Sequence, residues 1–145
     1  MSLREILKKY VLAHFSLKTI IFANKKMFNK MKVVEKISIQ ELQEMSYHFF
    51  EEMVKGVIDI EKGILAIDAE LHADLESLLL QEGAEQENLW GINLYPFLDN
   101  EDFLEFDSMI NIRPNQNNRS RGVENIEIQN QIREILNQII IKNAT

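Results

Sequence analysis

Arg113, Arg119 and Arg121 fall within nine positions of one another, interleaved with Asn115, Gln116, Asn117, Asn118 and Ser120. A guanidinium offers planar, paired donors that match carboxylate or phosphate oxygens. Asparagine and serine in a loop orient further donors. The segment runs into a predicted helix start near 123–126, where free amides and the helix dipole favour an anion. Arg113, Asn118, Arg119 and Arg121 are therefore the candidate ligand-binding residues, suited to an anionic small molecule or an acidic protein segment. The same cluster also fits ion pairs with Glu105, Asp107 and Glu124 that hold the loop down.

His72 is the candidate acid or base, because imidazole titrates near neutral pH. It stands in Glu70-Leu71-His72-Ala73-Asp74-Leu75-Glu76. Read as a strand, Glu70, His72, Asp74 and Glu76 share one face and form a possible oxygen-and-imidazole metal set. Read as a helix, only His72 and Glu76 lie one turn apart, with Asp68 one turn before, and no metal site is expected. Length, good helix formers and Gly83 at the end favour the helix over 69–82. His14 and His48 sit in amphipathic helical patterns and read as structural. The chain has no His-Glu-x-x-His, no phosphate-binding glycine loop and no Gly-x-Ser-x-Gly elbow. It has no cysteine, which removes disulfides, thiolate metal sites and a cysteine nucleophile, and fits a reducing, cytoplasmic compartment.

The elements that must position these residues follow from periodicity. Val33 to Ile37 reads as a short strand. Ser38-Ile39-Gln40-Glu41 is a capping box, and the helix after it carries Leu42, Met45, Phe49, Phe50, Met53 and Val54 on one side, with Gly56 as its stop. Val57 to Ile60 and Ile64 to Ile67 flank Glu61-Lys62-Gly63 as a hairpin. Leu89 to Tyr95 and Phe103 to Arg113 read as two further strands. On the first, Trp90, Ile92 and Leu94 face the core, while Asn93 and Tyr95 share the polar side with Asp107, Asn111 and Arg113 of the next. Ile128, Ile132, Ile135, Leu136, Ile139 and Ile140 mark a C-terminal amphipathic helix. The fold class is α+β: a mostly antiparallel sheet with helices packed on one face, in the order β-α-β-β-α-β-β-α after an N-terminal helix.

The chain has 145 residues and a net charge of −7. Residues 1–32 carry eight cations against Glu5 alone, a balance of +7 that leaves −14 on the remainder. A body this acidic repels phosphate backbones, so general nucleic-acid binding by it is disfavoured. No apolar run approaches the roughly 20 residues of a transmembrane segment. Residues 1–31 read as a basic amphipathic extension, opened by the capping box Ser2-Leu3-Arg4-Glu5, or as sequence upstream of a later start; 32–145 read as one α+β domain.

Val57-Ile58-Asp59-Ile60-Glu61-Lys62-Gly63, Glu70-Leu71-His72-Ala73-Asp74, Leu89-Trp90-Gly91-Ile92-Asn93-Leu94-Tyr95-Pro96, Phe106-Asp107-Ser108-Met109-Ile110-Asn111-Ile112-Arg113-Pro114 and Asn118-Arg119-Ser120 together resemble a family of short bacterial proteins catalogued as a domain of unknown function. The likeness covers about 33–141 and implies no activity, cofactor or catalytic residue. Three functions remain in view. The first is a binding or regulatory module using the Arg113–Arg121 loop. The second is a small hydrolase or transferase with His72 as base and the arginines stabilising negative charge. It requires His72 and the loop to line one pocket. The third is an acidic partner of a toxin or nuclease, marked by carboxylates on one face and arginines buried in salt bridges.

Overall fold

A computed structural model describes residues 2–5 and 31–142, and the chain divides into two compact units, Met1–Lys30 and Met31–Thr145. In the first, Leu3 to Glu5 form a helical turn. The Ser2 hydroxyl accepts from the Glu5 amide at 3.2 Å, and the Glu5 carboxylate accepts from the Ser2 amide at 3.1 Å. The rest of the predicted amphipathic helix, His14 included, lies outside the described residues.

The second unit runs β1 (Lys32–Val34), β2 (Ile37–Ser38), α1 (Ile39–Ser46), β3 (Val54–Asp59), β4 (Ile64–Ile67), α2 (His72–Gln81), β5 (Leu89–Leu94), β6 (Leu104–Glu105), α3 (Ile126–Ile139) and β7 (Ile140–Ile141). The class is the expected α+β, with a five-stranded antiparallel sheet in the order β1-β4-β3-β5-β6. The predicted strand over 33–37 is split: β1 joins this sheet, while β2 pairs parallel with β7.

Ser38 caps α1 through the predicted box, accepting from the Glu41 amide at 3.1 Å. The helix ends at Ser46, ten residues before the expected stop at Gly56. Gly56 belongs instead to β3, where a Cβ would stand 2.9 Å from Leu65 Cδ1. The glycine serves close packing across the hairpin rather than a helix end. The β3–β4 hairpin forms as predicted. The Asp59 carboxylate accepts from the amides of Glu61 (3.0 Å) and Lys62 (3.1 Å), and Gly63 takes φ +66°, a conformation glycine reaches without steric cost. His48, read as structural, holds its Nδ1 2.7 Å from buried Asp68.

The second strand expected over 103–113 is realised only as β6. Beyond it the chain makes 3-10 turns at Met109–Asn111 and Pro114–Gln116. The Asn111 side chain replaces the missing strand: its amide donates to the Gly91 carbonyl at 2.9 Å, and its Oδ1 accepts from the Gly91 amide at 2.8 Å. A carboxamide thus satisfies both backbone groups that a neighbouring strand would have paired. Gly91 makes this possible, since a Cβ there would lie 2.5 Å from Ser108 Cβ.

Helices cover both sheet faces, where one covered face was expected. Ile58, Leu65, Ile67, Trp90, Ile92 and Leu94 share a core with Leu42 and Met45 of α1 and Ile132, Leu136 and Ile139 of α3. Val57, Ala66 and Leu89 point the other way and pack with Leu75 and Leu79 of α2. The cause is visible in Val57-Ile58 and Leu65-Ala66: adjacent apolar residues on a strand leave no wet face, so both sides need cover.

Candidate functional site

Alternation along the strands places Lys55 of β3, Asn93 of β5 and Glu105 of β6 on the α2 side of the sheet. They stand directly opposite one another across the three strands. The packed end of this face lies under Leu75 and Leu79. At the other end, before the first turn of α2, the sheet is open. A cleft of about 530 Å³ results, lined by Lys55, His72, Asn93, Tyr95, Glu105, Asp107 and Arg121, with Met53, Leu71, Ala73 and Met109 as its apolar part.

Its polar groups are held from below. Asn93 Nδ2 donates to Glu105 Oε1 at 2.8 Å and to the Asp107 carbonyl at 3.1 Å. The Tyr95 hydroxyl donates to the same Glu105 oxygen at 3.2 Å. Burial, then the Glu105 charge, pushes the Tyr95 phenol above its ordinary value. Arg121 Nε meets Asp107 Oδ1 at 2.5 Å, and the Arg121 carbonyl accepts from the Ser108 amide and from Asn111 Nδ2. The Lys55 ammonium lies 5.1 Å from the centre of the Phe50 ring.

His72 is buried, and its Nε2 donates to the Ile92 carbonyl at 2.9 Å. A carbonyl only accepts, so the bond assigns the proton to Nε2 and leaves Nδ1 as a lone pair in the neutral ring. Burial lowers the His72 pKa from 6.5 and Lys55 lowers it further, against the raising effects of Ile92, Asn93 and Asp107. The imidazole is neutral at physiological pH.

Residues 31–139, most of the chain, match the family described as Protein of unknown function (DUF5674). The chain belongs to that family. Comparison with curated proteins and with solved structures gives no match. Every residue lining the cleft lies inside the DUF5674 segment.

The DUF5674 fold separates the sequence candidates. Arg113 is 6 % exposed. Its Nη1 donates to the Gln86 carbonyl at 2.8 Å, and its Nη2 to Leu89 O at 2.6 Å and Glu76 Oε2 at 3.2 Å. The guanidinium lies 5.1 Å from the Trp90 ring centre. Burial lowers its pKa and Glu76 opposes that, and an arginine stays charged regardless. Asn118 is also buried, donating to the carbonyls of Asn111 and Gly122 and accepting from the Glu124 amide. These two residues hold the loop. Arg119 is exposed, its amide bonded to the Glu124 carboxylate, and it does not line the cleft. Only Arg121 of the four shares a cleft with His72.

The segment 70–76 takes the helical reading from His72 onward, which sends Glu76 to Arg113. Among the described residues no group of three or more His, Cys, Asp or Glu is placed to hold a metal, and no helix is long and apolar enough to cross a membrane. Lys55 was not singled out by sequence reasoning. Its signal was a lone charge inside Val54-Lys55-Gly56-Val57-Ile58, a run otherwise suited to burial.

Proposed function

We propose that this domain binds a small anionic molecule in the cleft before α2, with Lys55 and Arg121 as the groups that receive the negative charge. One observation carries the reading. Two cations from separate elements line a single cleft, and Lys55 has no carboxylate partner among the described residues, while Arg121 commits only its Nε. The first residues of α2, His72 and Ala73, line the same cleft, and Leu71 supplies no side-chain cap. Free amides and the helix dipole there favour an anion. Neutral His72 contributes no positive charge, so Lys55 and Arg121 carry the attraction against Glu105 and Asp107 of the same cleft.

Inorganic phosphate and malonate test this by amide chemical-shift titration of the full chain. Saturable shifts at Ala73, Asn93 and Arg121 are expected, lost in the Lys55→Ala/Arg121→Ala double variant. A bound anion also raises the His72 pKa, read from its ring protons. Shifts scattered over the surface, or shifts that persist in the double variant, sink the reading.

A second reading has its own support. His72 and Arg121 line one cleft, as acid–base chemistry on a bound anion requires. His72 would act as general base through its unprotonated nitrogen and Arg121 would stabilise the developing charge. Turnover of p-nitrophenyl phosphate or p-nitrophenyl acetate that disappears in His72→Gln, with anion binding retained, would support it. Equal rates in both proteins would exclude it for these substrates.

A further inference from the structure

A second hollow, of about 260 Å³, shares Tyr95 with the cleft and is lined by Tyr47, Glu51, Glu52, Tyr95, Phe97 and Leu98. Three of its six residues are aromatic, two are carboxylates, and none is a cation.

The hollow is built by two anchored turns. Buried Ser46 donates to the Gln43 carbonyl at 2.6 Å and lies 3.3 Å from the Glu51 carbonyl, while the Phe50 amide donates to Ser46 O. This folds the chain after α1 back on itself and presents Glu51 and Glu52. Gln43 Nε2 donates to the Pro96 carbonyl at 3.1 Å, and the Leu98 amide donates to Tyr95 O at 3.0 Å. This fastens the Tyr95–Leu98 turn to the same helix.

The rings of Tyr47 and Phe97 meet edge to face, with centroids 6.1 Å apart and planes at 67°. Two ring planes at a steep angle make a corner with negative π-faces on its walls. Tyr47 remains 67 % exposed and Phe97 50 % exposed. Adjacent exposed rings rimmed by polar groups are the kind of apolar surface that marks a contact site. The side chains of Glu51 and Glu52 make no hydrogen bond or ion pair among the described residues.

We propose that this hollow is a binding site for an organic cation, an alkylammonium or a guanidinium, held by the faces of Tyr47, Tyr95 and Phe97 and neutralised by Glu51 and Glu52. Ring quadrupoles attract a cation, and the attraction grows as the cation sheds water. The carboxylates supply the long-range field and the rings supply the contact. The volume is below the roughly 300–1,000 Å³ of sites for drug-sized ligands, so the occupant is one headgroup or one side chain. This site is independent of the anion cleft, although Tyr95 walls both.

The test is a chemical-shift titration of the full chain with tetramethylammonium chloride and, separately, with N-acetylarginine amide, each against sodium chloride at matched ionic strength. Saturable shifts confined to Tyr47, Tyr95, Phe97 and Leu98 are expected with at least one of the two. Tighter binding of tetramethylammonium assigns a free alkylammonium; tighter binding of the arginine amide assigns a peptide side chain. Phe97→Ala weakens the interaction about two- to fivefold. Phe97→Leu, which keeps apolar bulk and removes the quadrupole, weakens it similarly. Glu51→Gln/Glu52→Gln also weakens it, and Arg119→Ala, at a residue that lines neither hollow, leaves it unchanged. Shifts no larger than those of the sodium control, or an affinity that neither Phe97 variant lowers, overturn the proposal.

Discussion

The two ends of α2 meet the same sheet under different conditions. From Leu75 onward toward the C-terminal end, Leu75 and Leu79 close over Val57, Ala66 and Leu89, and the polar groups trapped there find partners within the chain: Glu76 with Arg113, and Arg113 with the carbonyls of Gln86 and Leu89. At the N-terminal end the helix stops at His72, and Lys55, Asn93, Glu105 and Arg121 face a cleft. A ten-residue helix is about 15 Å long, while a six-residue strand such as β5 runs about 20 Å, so the sheet outruns its cover. Burial then sorts residues of one type. Arg113 is structural because α2 and Trp90 enclose it. Arg121, eight positions later in the same loop, keeps a half-exposed side chain with one carboxylate partner.

The largest effect is expected where the closed end is breached. Arg113→Ala removes one partner of a nearly buried ion pair and leaves Glu76 and two carbonyls without their donors. A loss of about 3 kcal/mol follows, read from urea unfolding. Arg113→Lys recovers only part of it, because an ammonium does not reproduce the planar fork. A cost below about 1 kcal/mol for the alanine variant would erase the distinction between the two ends. Gly91→Ala comes next. Its new methyl collides with Ser108 and lifts the loop that Asn111 pins to β5, at about 2 kcal/mol. Faster hydrogen exchange of the Gly91 amide reports the lost Asn111 bond.

Local features of this fold were legible because their causes are local. Ser38 and Glu41 announce α1 by spacing alone, and Gly63 announces the hairpin by its position after Glu61-Lys62. Length, good helix formers and Gly83 favour a helix over 69–82 against the strand-like alternation, and the helix forms over His72–Gln81 with Gly83 at φ +96° past its end. What failed depended on distant partners. The strand predicted through 113 required a continuous neighbour along β5, and nothing local reveals that the Asn111 side chain takes that place. Gly56 looked like a helix stop because its role depends on Leu65 across the hairpin. Arg113 and Arg121 are chemically identical in sequence, and only the position of Trp90 and Glu76 in space divides them. Lys55 joins Arg121 through strand pairing, which periodicity does not specify.

His72 marks the boundary between the two ends, and its titration reads how closed that boundary is. Its folded-state pKa lies below the ordinary 6.5, so the folded protein favours the neutral ring more than the unfolded chain does. The resulting stability is fully present above pH 6.5 and is lost as the pH falls toward the lowered value. The melting temperature should fall more steeply as the pH drops below 6.5 in the wild type than in His72→Gln, which keeps an N–H for the Ile92 carbonyl. Parallel pH profiles would mean that the imidazole is as well solvated as in the unfolded chain.

Arg121→Ala is expected to change stability least and binding most. Its ion pair with Asp107 is exposed on both sides, and such pairs contribute about 0–1 kcal/mol. The backbone of Arg121, which anchors Ser108 and Asn111 through its carbonyl, is untouched by the substitution. Urea unfolding should therefore place Arg121→Ala within about 1 kcal/mol of the wild type, while the phosphate-induced shifts at Ala73 and Asn93 shrink. If it unfolds as easily as Arg113→Ala, the open end is held together by the same kind of contact as the closed one. The cleft would then be a packing feature and not a place for a ligand.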